Sequence, residues 1–93
     1  HDANDMRYIA QQLVQLSGMI VVLGVSDPSA QFCLARSEDV ALDMNALLRE
    51  LAAPYGGRGG GRSHMAQGGG LSEGDLRRMI EDAGAHLEGL TEA

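Results

Sequence analysis

The chain has 93 residues, 44% of them apolar, and only Tyr8, Phe32 and Tyr55 are aromatic. One aliphatic core fits that length and two separate cores do not. Thirteen acidic residues stand against seven basic ones, all arginine, for a net charge of −6; this excludes a broad electrostatic grip on nucleic acid or an anionic membrane and confines any phosphate contact to a local patch.

In chain order, the first predicted element is a helix over 4–16, with Met6, Ile9, Leu13 and Leu16 at helical spacing and Asp2 or Asn4 as its cap. Gly18 ends it. The uninterrupted apolar run 19–23 is too short for a helix and rich in Ile and Val, which predicts a strand covered on both faces. Ser26-Asp27-Pro28-Ser29 carries turn chemistry, and 30–36 supplies a second strand to complete a hairpin. A second helix begins with Asp43 as N-cap, bracketed by a Leu42/Leu47 staple, and continues through Leu48 and Leu51 until Pro54 and Gly56 stop it. A third helix begins at Ser72, with Asp75 in the capping-box position and Leu71/Leu76 as a second staple. Its apolar face comprises Leu76, Met79, Ile80, Ala83, Leu87 and Leu90.

Between the second and third helices lies GGRGGGRSHMAQGGG, residues 56–70, which holds eight of the thirteen glycines. Glycine inside a helix or strand costs about 0.5–1 kcal/mol relative to alanine, so a glycine-rich loop is expected, with at most a short strand over 63–67. A flexible linker would alternate Gly with Ser over a longer span, whereas this segment embeds two arginines, a histidine and a Met-Ala pair. Gly56, Gly61, Arg62 and Ser63 match the P-loop spacing, but that motif requires Lys at the position of Arg62, a strand before it and a helix directly after it. The segment is instead suited to present successive backbone N–H groups as an anion-binding concavity, with Arg58 and Arg62 adding forked donors. The competing expectation is that one or both arginines pair with Glu or Asp of the acidic surface.

The same fifteen residues resemble the signature of the DHH-associated domain, in the version found at the C-terminus of alanyl-tRNA synthetases and related alanyl-tRNA editing proteins. The resemblance extends back through Leu42-Asp43-Met44-Asn45-Ala46-Leu47-Leu48, and the order of elements follows the family from the first strand to the last helix. Ser63 and His64 depart from the Pro-Asp pair common in the synthetases. The resemblance implies an α/β fold, with a small mixed sheet flanked by about three helices, over a single domain 1–93 that is the C-terminal fragment of a larger protein. It implies an accessory tRNA-binding role, with Gly56, Gly57, Arg58, Gly59, Gly60, Gly61, Arg62, His64 and Gln67 as the nucleic-acid-binding set. Upstream catalytic or editing domains would share the polypeptide, and a homodimer is compatible with the family. Two other functions stay open: the substrate-holding domain of a DHH phosphoesterase, which the words Met65-Ala66-Gln67 disfavour, and a structural or dimerisation domain that does not touch nucleic acid.

Nothing in the sequence assembles a catalytic set, so the chain alone is expected to be non-enzymatic, within a parent that is an aminoacyl-tRNA ligase or hydrolase. No two His, Cys or carboxylate residues fall at a metal-ligand spacing such as His-x3-His, and no metal or other cofactor is expected in this chain. Ser63 lacks a base, because adjacent His64 would point to the opposite face of a strand. His64 is a candidate donor to phosphate or ribose, and His86 sits at the rim of the third helix's apolar face. Cys33 is single, which rules out an intramolecular disulfide and suits a reducing compartment, with cytoplasm the expected location. No apolar run approaches the roughly 18 residues of a membrane span.

Overall fold

The computed structural model describes residues 3–26 and 29–91. The expected caps and turn at Asp2 and Asp27-Pro28, and the side chain of Leu90, lie outside the described residues. Helix α1 spans Ala3–Leu13, strands β1 and β2 span Ile20–Val25 and Gln31–Arg36, and helix α2 spans Met44–Ala52. A 3-10 turn over Ala53–Tyr55 leads to β3, Arg58–Gly61, and β4, Met65–Gly69; α3 closes the chain over Glu73–Thr91. The strands form one sheet in the order β1-β2-β4-β3.

Every strand pair is antiparallel, which corrects the expected mixed sheet. The glycine-rich segment supplies two strands rather than one, so the sheet is two hairpins laid side by side and joined through their inner strands β2 and β4. A glycine-rich loop is thereby corrected to a glycine-rich hairpin. Its glycines permit a close approach, as expected of them, but the neighbour is largely the chain's own backbone. A Cβ on Gly61 would collide with Met65 O and with Ala66, and one on Gly68 would meet the Phe32 ring at 2.6 Å.

Side-chain alternation divides the sheet into two faces. Phe32 and Leu34 of β2 join Ala66, the α2 residues Met44, Leu47 and Leu48, and the α3 residues Leu76, Met79 and Ala83 in the main core. Cys33 and Ala35 of the same strand face the other way, against Met6 and Ala10 of α1. The strand buried on both faces is therefore β2, whereas the apolar run of β1 lies at the sheet edge, contacts both layers and keeps partial exposure.

The caps follow the sequence closely. Asp43 accepts from the N–H groups of Asn45 and Ala46 at 2.9 and 3.2 Å, and Leu42 packs on the same core as Leu47. Ser72 Oγ accepts from Asp75 N–H at 3.1 Å. Gly56, in the left-handed conformation at φ 69°, ends the turn that follows α2. The face of α1 is rotated from the expected one: Met6 and Ala10 are buried, while Ile9 and Leu16 are exposed. Ala10 lets the helix lie close to the sheet, which a larger residue there would prevent.

Candidate functional site

The β3–β4 hairpin pairs Arg58 with Gly69, Gly59 with Gly68, Gly60 with Gln67 and Gly61 with Ala66. Beyond Gly61, Arg62 donates its N–H to Met65 O at 2.8 Å. Directly opposed residues of an antiparallel pair share a face. Arg58, Gly60 and Arg62 thus lie on the α1 side of the sheet with Gly69, Gln67 and Met65. Gly59 and Gly61 lie on the α2 side with Gly68 and Ala66.

The hairpin tip is fastened at three points. Ser63 O accepts from Met44 N–H at 2.8 Å, His64 O accepts from Arg36 N–H at 3.0 Å, and Asn45 Oδ1 accepts from Gly61 N–H at 3.2 Å. The first helical N–H groups of α2 are therefore occupied, by Ser63 O at Met44 and by the Asp43 side chain at Asn45 and Ala46. This corrects the expected N–H concavity: the donors of Gly57, Gly61 and Arg62 go to Ala52 O, Asn45 Oδ1 and Met65 O, because extended strands alternate their N–H directions instead of converging them. Gly56 and Gly57 have packing duties, Gly56 as the turn's cap and Gly57 under Leu71, whose methyl would overlap a Cβ there. The side chains of the segment add their own chemistry.

That chemistry is cationic. Arg58 and Arg62 are exposed, and among the described residues neither forms an ion pair; Arg78 and Asp75 of α3 do, at 3.9 Å. The expectation that the acidic surface would pair with one or both arginines is not met there. A shallow depression of about 230 Å³ adjoins Arg62, lined by Gly60, Gly61, His64, Met65, Ala66, Gln67 and, from α1, Arg7. No carboxylate lines it. His64 is exposed beside it, and Gln67 Nε2 is buried without a hydrogen-bond partner.

A wider depression of about 830 Å³ lies between the end of α1, the β2–α2 connection and the hairpin tip. Three of its polar side chains, those of Arg36, Ser37 and Asp39, are engaged within the fold. Arg36 donates to Leu42 O and Ser37 O, and the Asp39 carboxylate accepts from Gly18 N–H and Ser37 Oγ. Those hydrogen bonds hold the Asp39 carboxyl below its ordinary range.

Among the described residues, no group of three or more His, Cys, Asp and Glu is placed to hold a metal ion. Ser63 and His64 are neighbours at the exposed tip. Cys33 is buried, and desolvation pushes its thiol pKa up, opposed by the charge of Arg7; a thiol so placed is unreactive. Sequence reasoning missed Asn45, which holds Gly61. Its position two residues after a predicted N-cap was legible, but its hydrogen bond to a distant strand was not.

A family model described as the DHHA1 domain matches residues 1–89. The alanine–tRNA ligase of Myxococcus xanthus is 36% identical over 86% of this chain and 10% of its own length. That of Natronomonas pharaonis is 38% identical over 99% of this chain and 10% of its own, and that of Thermus thermophilus is 39% identical over 85% and 9%. The chain thus spans about a tenth of the length of the curated relatives it matches. Among solved structures, the C-Ala domain of Aquifex aeolicus alanyl-tRNA synthetase superposes with a TM-score of 0.76 at 22% identity, covering 87% of this chain and 77% of that one. The fold is shared.

Proposed function

The chain belongs to the DHHA1 domain family, and from that premise we propose that residues 1–93 act as one accessory, tRNA-binding domain of an alanyl-tRNA synthetase-type protein. The observation that carries this reading is the pair Arg58 and Arg62, on one sheet face of a chain with net charge −6, free of ion pairs among the described residues. Unpaired guanidinium groups over a glycine floor suit phosphate, which they can bind in forked geometry. The relatives being alanine–tRNA ligases supports tRNA as the ligand and favours the synthetase branch over the phosphoesterase one. Catalysis belongs to other domains of the parent, and this chain alone neither ligates nor hydrolyses. No helix among the described residues is long and apolar enough to cross a membrane, and a cytoplasmic translation protein is the setting proposed.

Titration of labelled tRNA at low salt tests the reading. Saturable binding by the wild type is expected, lost in the Arg58→Ala/Arg62→Ala double variant and retained in Arg77→Ala/Arg78→Ala on α3. Binding that depends on the α3 pair and ignores the hairpin pair would overturn it.

A second reading, an interaction domain, is favoured by one observation: Tyr8 and Leu16 are 63% and 59% exposed on and just beyond α1. Sedimentation of the wild type and of Tyr8→Ser/Leu16→Ser separates the two, since self-association through this surface would be lost in the variant while tRNA affinity would not change.

A further inference from the structure

The uncovered half of the sheet has a third arginine at its border. Helix α1 packs on β1 and β2, anchored by Met6 and Ala10, which are 3% and 0% exposed. Arg7 adjoins Met6 and is exposed, and it lines the same depression as Arg62, Gly60 and Gln67. Among the described residues Arg7 has no carboxylate partner. Arg7 and Arg62 thus come from two distant segments to line one depression, with Arg58 on the strand that supplies its glycine floor; no carboxylate lines the depression, and its one ring is the imidazole of His64.

We propose that Arg7 is a third cationic contact of the tRNA-binding surface, which grips the sugar-phosphate backbone laid across β3 and β4 between α1 and the sheet edge, and not the bases. The inference rests on the reading that the hairpin arginines bind tRNA. Guanidinium groups only donate, and phosphate oxygens only accept. Proteins that hold single-stranded bases do so by stacking them on aromatic rings. The depression offers one ring, the His64 imidazole, beside the guanidinium groups of Arg7 and Arg62, so phosphate contact is the chemistry most of its donors supply.

The test is a tRNA titration over a series of salt concentrations with the wild type, Arg7→Ala, Arg7→Lys, Arg58→Ala and Arg77→Ala. Each phosphate contact contributes about −0.7 to the slope of log affinity on log salt for single strands. Arg7→Ala is expected to flatten the slope by about that amount and to weaken binding up to about fivefold, as for an exposed ion pair. Arg7→Lys should keep the slope and Arg77→Ala should change neither. Competition by poly(A) and poly(U) should be equal within a factor of about two, as contact to backbone alone requires. If Arg58→Ala flattens the slope and Arg7→Ala does not, Arg7 is no contact, while the hairpin reading stands. A strong preference between the two homopolymers overturns the backbone assignment, and absence of wild-type binding overturns both this inference and the reading beneath it.

Discussion

Asn45 accepts the Gly61 N–H through its side-chain oxygen at 3.2 Å, so the first turn of α2 holds the end of an edge strand sixteen residues away. Replacing Asn45 with Ala removes that acceptor and leaves Gly61 N–H to water. The expected loss is about 0.5–1.5 kcal/mol of stability by urea unfolding, with faster exchange of the Gly61 amide than of the Arg62 amide. Equal acceleration of both would mean that the whole hairpin had loosened and the bond was not the local anchor.

Two glycines should respond to alanine in opposite directions. At Gly68 the added methyl would overlap Arg58 O and stand 2.6 Å from Phe32 Cζ, while nothing lies within 4 Å of the same group at Gly84. Gly68→Ala should destabilise by about 1–3 kcal/mol through overpacking, and Gly84→Ala, within α3, should stabilise by about 0.5–1 kcal/mol. Thermal or urea unfolding of the two variants beside the wild type checks both signs.

Asp39 sets an acid limb of stability. Its folded carboxyl is held below the ordinary range by Ser37 and by Gly18 N–H. Stability from this group is complete above the carboxyl's unfolded pKa and is lost as pH falls toward the depressed folded value. Asp39→Asn should be less stable than the wild type at neutral pH, and the difference should shrink as pH drops through the acid range. Urea midpoints at a series of pH values measure it; a gap that stays constant with pH would show that ionisation is not its source.

The salt dependence of tRNA binding also distinguishes a local from a broad footprint. Two hairpin contacts give a slope of about −1.4 for single strands, and a third from Arg7 brings it to about −2.1. A slope much steeper than that would require cations beyond this surface, which the net charge of −6 makes unexpected.

The helix boundaries were legible because capping residues advertise themselves. Asp43 and Ser72 stand at fixed offsets from apolar runs and cap α2 and α3 as expected. The hairpin was only half legible. A strand is read from alternating side chains, and Arg58–Gly61 has three positions with none, so its pairing with β4 left little pattern to find. The rotated face of α1 had a similar cause, since Ala10 is weakly apolar by composition yet wholly buried by packing. The proposed contacts Arg58 and Arg62 were suggested by the segment that carries them. Arg7 was not, because only tertiary packing brings a residue of α1 beside Gly60 and Gln67.

The fastening of the hairpin tip has a kinetic consequence. Ser63 O and His64 O are bonded to the N–H groups of Met44 and Arg36, residues at the start of α2 and the end of β2. A hairpin so rich in glycine has little propensity to close by itself, and its anchors exist only once α2 and β2 have docked. It should therefore form on the far side of the rate-limiting barrier, after the rest of the sheet. Gly68→Ala would then speed unfolding and leave the refolding rate nearly untouched, whereas truncation of Leu48 or Phe32 in the main core would slow refolding. On that order, the segment richest in candidate ligand contacts would be the last to be built and the first to come undone.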